Sequence, residues 1–345
     1  VTRCLPGIGS FANGVDVDVT APLRFSVLDR SLVRRGRSAA ESLQRTVQFA
    51  AEIEQLGYHR FWVAEHHGVP GVAGAAPTVL AAAVASATSR IRVGTGGVML
   101  PNHPPLVVAE QFGVLEALHP GRIDLGVGRS LGFTSAVREV LGSGQEEAER
   151  FGQQLAEMLR YFEGIGTVPA VPAEGARPPV FVLATGSGAE HAAQAGLPLV
   201  IAGVRGDDQL KVAIRKYRED FRPSVWASEP HVVLSRSVAV AETAEQARRL
   251  LVPEAWSIAC SRVRGVFPPL EPVQDVLDRS MSRWEREQFD RAMRGHVHGT
   301  EDEVADELQS LVDDTGADEV LVTTSGHDQS ALLDSYRRLA RLIPR

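Results

Sequence analysis

Residues 91–128 read IRVGTGGVMLPNHPPLVVAEQFGVLEALHPGRIDLGVG. An apolar run over 91–100 is followed by Pro104-Pro105, where a helix can start, and by a helical pattern reaching Leu118. The His119-Pro120-Gly121 turn then leads into a second apolar run over 122–128. This is one complete strand–helix–strand unit. Neither strand alternates apolar with polar residues, which suits strands buried on both faces of a parallel sheet.

Outward from this unit the same pattern continues. Further strand-like runs occupy 23–29, 60–65, 179–184, 198–203, 231–240 and 318–324, making eight with the two above. Helical patterns fall over Ala39–Leu56, Pro77–Ser89, Pro104–Leu118, Glu146–Phe162, Ala189–Ala195, Asp208–Phe221, Ala244–Leu251 and Ser330–Leu342. Gly57 reads as a C-terminal stop, and Asp207 and Asp208 as candidate caps. Eight alternations predict an α/β fold, a single (β/α)8 TIM barrel. A doubly wound open sheet shows the same alternation, so the count favours the barrel without excluding the sheet.

Two connections exceed what a barrel needs. One is an insertion over 131–178 after the fourth strand. The other, 253–300 after the seventh, holds Pro268-Pro269, Pro272 and a charged helical pattern over Val273–Arg294, and is expected to be a lid. The expected organisation is a flexible extension over 1–21 and one barrel over 22–345.

The composition of the 345 residues is that of a globular chain: 44% hydrophobic, 23% charged, 32 Gly and 20 Pro. A net charge of -7 disfavours a nucleic-acid partner. The cationic residues are almost all arginine, with Lys211 and Lys216 the two lysines. Cys4 and Cys260 cannot build a disulfide framework or a closed zinc site. No apolar run reaches the ~18 residues of a membrane span, and residues 1–21 lack the apolar core of a signal peptide. The expected location is cytoplasmic.

A barrel of this kind carries its site where strands end. The second strand ends in Glu65-His66-His67, the third in Gly94-Thr95-Gly96-Gly97, the fourth in Gly126-Val127-Gly128-Arg129-Ser130, and the fifth in Thr185-Gly186-Ser187-Gly188. Adjacent histidines on an extended strand point to opposite sides, so no metal is expected there; either both imidazoles cap a strand end or one is a general acid/base. His296 and His298 read as solvated. The Gly96-Gly97 pair is either a turn or a place where a flat ring meets bare backbone. Residues 126–132 miss the spacing of a dinucleotide fingerprint by one residue. Arg129 reads either as a surface ion pair or as a fork for phosphate oxygens. Thr185 to Gly188 reads either as an ordinary helix cap or as an anion site with hydroxyl donors.

Taken together, four segments resemble the bacterial luciferase-like flavin monooxygenase family: Trp62-Val-Ala-Glu-His-His67, Val93-Gly-Thr-Gly-Gly-Val-Met-Leu-Pro101, Pro120-Gly-Arg-Ile-Asp-Leu-Gly-Val-Gly-Arg129 and Ala195-Gly-Leu-Pro198. The resemblance spans about Leu23 to Pro198 and continues more loosely to the C-terminus. It implies a barrel that takes up reduced FMN (FMNH2) from a separate NAD(P)H:flavin reductase, reacts it with O2, and oxygenates a small organic substrate. It implies that His66 acts beside the flavin as base or hydrogen-bond partner. Gly96 and Gly97 would pack backbone against the ring. Arg129 with Thr185, Gly186, Ser187 and Gly188 would hold the phosphate, and 253–300 would correspond to the family's mobile lid. Light-emitting members carry a cysteine where this chain has Gly128, and acidic and threonine positions where it has Ala184 and Gly188. The resemblance is closer to oxygenases of actinomycete secondary metabolism that tailor aromatic polyketides. It also leaves room for hydride transfer with a reduced deazaflavin, or for a non-catalytic flavin-binding subunit. The Ala-rich helix over Ala75–Ala87 suits either a dimer face or packing within the barrel shell, and family analogy implies a homodimer.

Overall fold

The computed structural model describes residues 23–186, 188–203 and 206–343; the extension over 1–21 lies outside them. The eight expected strands all form: β1 Arg24–Asp29, β2 Arg60–Val63, β3 Arg92–Thr95, β4 Ile123–Gly128, β5 Val180–Ala184, β6 Leu199–Ala202, β7 Val232–Arg236 and β8 Glu319–Val322. All pairings are parallel, in the order β3-β2-β1-β8-β7-β6-β5-β4, and β3 pairs with β4 to close the barrel. The open-sheet alternative is thereby excluded.

Closure between β3 and β4 is tight because the facing residues lack side chains. A carbon added at Gly94 would sit 2.4 Å from the Asp124 carbonyl oxygen, and one at Gly126 would sit 2.0 Å from that of Thr95. Only glycine permits this approach. Two ladder pairs, Val93 with Ile123 and Gly94 with Asp124, join these strands. Beyond them the Thr95 hydroxyl donates to the Gly126 carbonyl at 2.9 Å.

The core has two parts. Outside the strands, residues such as Phe25, Phe61, Val93, Leu125 and Val320 pack against the helices in one large cluster. Inside, Leu28, Trp62, Phe181, Val200, Val233 and Leu321 fill the barrel. Beneath them lies a charged floor. Arg60 donates to Asp124 at 2.8 Å and to Glu319 at 3.1 and 3.2 Å, and its guanidinium lies 4.8 Å from the Phe181 ring centre. Arg92 reaches Asp124 at 2.6 and 2.9 Å.

The structure departs from the expected elements at several places. The third strand breaks at Gly96-Gly97, joined by a cis peptide, then resumes over Val98–Met99 beside β4. The seventh breaks after Arg236; Val238–Val240 instead pairs with Val297–Gly299 in a separate two-stranded sheet. The helix expected to stop at Leu251 runs from Ala244 to Arg264 with Pro253 inside it. Burial of Val252, Ala255, Trp256, Ala259 and Cys260 outweighs the hydrogen bond that proline forgoes. The helix expected over Val273–Arg294 is two, Val273–Leu277 and Arg283–Ala292, because Ser282 and Glu285 form a new capping box. Likewise, Gln145–Glu149 and Phe151–Phe162 divide the helix expected over Glu146–Phe162. Helix Glu301–Thr315 escaped the periodicity reading, although its capping box, Thr300 with Glu303, is legible in the sequence.

Candidate active site

At the C-terminal rim a cavity of about 550 Å³ opens above the inner core. Leu28, Leu183, Val200 and Leu321 line it, together with His66, Gly96, Gly97, Arg129, Thr185 and Gly188. Six of the eight residues expected at the site therefore share one cavity. Gly186 instead lines a separate groove between helices Ala189–Ala195 and Asp207–Asp220, and Ser187 lies outside the described residues.

His66 follows β2, where the strand has ended and the chain turns towards Gly74. Its N–H donates to the Gly74 carbonyl at 2.8 Å, and its Nδ1 is buried without a partner among the described residues. Burial, then the nearby Arg30 charge, pulls the imidazole down to about 4, so it is neutral at physiological pH. Arg30 is anchored in turn by Glu254 at 2.6 Å and by the Thr323 carbonyl at 3.0 Å. Helix Ala244–Arg264 thus reaches the rim through one ion pair.

Gly97 is glycine for a reason internal to the barrel. A carbon there would lie 2.8 Å from the Gly126 carbonyl oxygen and 3.0 Å from Leu183. At Gly128 the wall is open, since an added carbon meets only Leu183, at 3.7 and 3.8 Å. Arg129 is exposed at the end of β4. Burial, then the Arg129 charge, lowers the imidazole of His191 on the helix that follows Thr185.

Glu65, the residue before His66, is held by the turn after the broken third strand. Its side chain is fully buried. Its Oε1 accepts from His67 Nε2 at 2.7 Å, His103 Nε2 at 2.8 Å and Asn102 Nδ2 at 3.4 Å, and its Oε2 accepts from the Met99 N–H at 2.8 Å. Burial pushes this carboxyl up, but the hydrogen bonds from His103, Met99 and His67 reverse the effect and hold it below its ordinary value. Sequence reasoning missed His103. It comes from the turn after the broken third strand, and its position before Pro104-Pro105 carried no signal of where that turn would fold.

The segment 253–300 packs as a helical layer with its own apolar cluster around Trp256, Val276 and Phe289. Its strap is pinned to the loops after β1 and β2: Leu270 exchanges backbone hydrogen bonds of 2.8 Å with Val33 and Arg35, and Gly71 donates to Phe267 at 2.9 Å.

A reduced flavin fits what is present, in that an apolar cavity carries bare backbone at Gly96-Gly97 and a guanidinium and a hydroxyl on its wall. Residues 23–319 match the family model described as luciferase-like monooxygenase. An Escherichia coli protein named luciferase-like monooxygenase is 35% identical over 319 residues, covering 91% of this chain and 95% of its own. The N-acetyl-S-alkylcysteine monooxygenase of Bacillus subtilis is 34% identical over 303 residues, covering 84% and 89%. Among solved structures, apo-MsnO8 superposes with a TM-score of 0.83 at 33% identity, covering 94% of this chain and all of that one. Two others share the fold alone, each with a TM-score of 0.71 over 94% of this chain and all of theirs. One is the oxygenating constituent of 3,6-diketocamphane monooxygenase of Pseudomonas putida, in complex with FMN, at 17% identity. The other is an F420-dependent secondary alcohol dehydrogenase, at 16%.

Proposed function

The chain belongs to the luciferase-like monooxygenase family, and on that footing we propose that it is a cytoplasmic, homodimeric FMN-dependent monooxygenase. It would receive reduced FMN from a separate NAD(P)H:flavin reductase and add one oxygen atom from O2 to a small apolar organic substrate, of polyketide type. The observation that carries this reading is the single rim cavity shared by His66, Gly96-Gly97, Arg129 and Thr185.

When bound, reduced FMN supplies the electrons that activate O2. The chain's own residues bind, orient and exclude water. Arg129 offers a fixed fork to phosphate oxygens, with the Thr185 hydroxyl as a further donor. The Gly188 backbone completes that end, and Gly186 and Ser187 belong to the same loop. Bare backbone at Gly96-Gly97 lets a planar ring lie close. The neutral His66 imidazole is a hydrogen-bond partner or base beside that ring. Leu28, Leu183, Val200 and Leu321 keep the floor apolar, and the layer 253–300 acts as the cover that shields the reacting centre from water.

The test is anaerobic titration with reduced FMN and with reduced deazaflavin, followed by admission of O2 and mass-spectrometric screening for products heavier by one oxygen. Reduced FMN should bind, and Arg129→Ala should weaken it at least about tenfold by removing a charge-assisted contact. His66→Ala should leave binding and lower turnover about 100-fold or more. Preference for the deazaflavin would favour the hydride-transfer reading that the F420-dependent fold neighbour supports. Turnover unchanged by His66→Ala would remove His66 from the catalytic role, and reduced FMN binding without any oxygenated product would favour a flavin-binding subunit.

A further inference from the structure

Glu65, His67 and His103 have no role in the cofactor reading above, yet among the described residues they bring three ligand atoms together at the rim. We propose that they constitute a binding site for one divalent transition-metal ion of the Zn²⁺ class. One oxygen and two imidazole nitrogens, each from a different residue, lie within 4.8 Å of one another.

The charge arrangement asks for a cation. Asp124 and Glu319, whose side chains are buried as fully as that of Glu65, are each gripped by arginine. Glu65 instead receives a backbone N–H, an amide and two imidazoles. None of these carries a permanent positive charge, so hydrogen bonds alone meet the charge of the buried carboxylate, and a cation between the two imidazoles and Oε1 would neutralise it directly. Three donors converge on Oε1 alone, while the Met99 N–H fixes Oε2. Orienting one carboxylate oxygen towards two imidazoles is what an outer-shell hydrogen bond does at metal sites. Asn102 extends this support, since its Oδ1 accepts from the Ser143 hydroxyl at 2.5 Å.

The donor set selects the ion. Two imidazoles and one carboxylate suit Zn²⁺ and its neighbours, whereas Ca²⁺ and Mg²⁺ prefer oxygen. Metal–ligand bonds of about 2.0–2.2 Å in a tetrahedron set ligands roughly 3.3 Å apart. The present 2.7 and 2.8 Å separations must therefore open by about half an ångström. His67 and His103, 22% and 32% exposed, have room to do so. Both imidazoles would bind through Nε2 with the ring proton moved to Nδ1, and water would take the fourth position. Entry is from the cavity, which Glu65, His67 and Met99 line. An ion here would tie the loop after β2 to the turn after β3 along one wall of that cavity.

The experiment uses the full chain, stripped with EDTA and desalted, then titrated by calorimetry with Zn²⁺ and followed optically with Co²⁺. The expected result is one ion per chain and intense visible Co²⁺ bands of tetrahedral type. Both should be lost in Glu65→Gln, and Zn²⁺ affinity should fall about 100-fold in His103→Ala. Thermal unfolding without metal checks that each variant is folded. The double variant His296→Ala/His298→Ala controls for the other histidine pair and should bind as the parent does. Absence of stoichiometric Zn²⁺ binding overturns the proposal. So does binding that survives His67→Ala and His103→Ala but disappears in the double control.

Discussion

Arg60, the first residue of β2, organises the whole barrel floor. Its guanidinium is shared between Asp124 on β4 and Glu319 on β8, while Ser26 donates to Glu319 from β1. Three other strands are thereby locked to one side chain. Burial alone would raise the Glu319 carboxyl; the His231 imidazole at 3.6 Å, the Arg60 charge and the Ser26 hydroxyl instead bring it down to about 2. At 3.6 Å the imidazole is beyond good hydrogen-bond range, so the Arg60 fork is the stronger hold. Because the folded value lies below the ordinary 4.5, this stabilisation is whole above pH 4.5 and is lost as pH falls towards 2. Its size is roughly 3 kcal/mol. Glu319→Gln should therefore cost about 3–5 kcal/mol at pH 7 in urea unfolding, with a smaller difference from the parent at about pH 3. An equal difference at both pH values would show that the carboxylate charge is not what holds the floor. None of this network was legible beforehand, because Arg60, Asp124 and Glu319 are far apart in sequence and only barrel closure makes them neighbours. The strand-end residues were legible, because the fold class alone dictates which end of each strand carries the site.

Strands and helices were read well wherever burial was uniform along an element, and badly wherever tertiary contact overrode a local signal. The eight strands lie in mostly apolar runs and each forms, although the third and seventh runs break before their expected ends. Pro253 carried the local signal of a helix end, but the helix passes through it because its flanks are buried against Val276 and Phe289. The broken third strand was hidden because Val98 and Met99 are as apolar as Val93, and the interruption lies in two glycines that fit either continuation. The strap Phe267–Leu270 was equally unreadable, since its partners are backbone atoms of distant loops. It makes a specific demand on Gly71, where an added carbon would sit 2.4 Å from the Pro268 carbonyl oxygen and 2.8 Å from the Phe267 ring. Backbone cannot yield there as a flexible side chain would. Gly71→Ala should therefore displace the strap, costing about 1–3 kcal/mol of stability. Hydrogen exchange should quicken over 265–272 while β1 to β8 keep their protection. Unchanged exchange in that segment would mean that the strap does not depend on the close approach at Gly71.

Across the whole molecule, the proposed homodimer has a specific face available to it. Helix Pro77–Ala87 contains no charged residue and leaves Val79 70% exposed; helix Pro105–Leu118 leaves Val107, Val114 and Leu118 exposed, the last by 66%. Spacings of seven and four residues put Val107, Val114 and Leu118 on one side of their helix. The two helices contact one another, so both sets belong to neighbouring elements of the barrel wall. Helix Glu301–Thr315, by contrast, carries an acidic first turn. Small residues such as Ala83 and Ser86 on the exposed side of the first helix permit close helix approach. A second copy placed here would cover the apolar side chains, and a charge on the same face would oppose it by burying an unpaired ion. Light scattering should therefore give twice the 37.2 kDa chain mass for the parent and a single chain mass for Val79→Glu/Leu118→Glu. Far-ultraviolet circular dichroism should be unchanged, since neither side chain belongs to the core. A parent that runs as a single chain at micromolar concentration, or a double variant that remains paired, would remove this face from consideration as the interface.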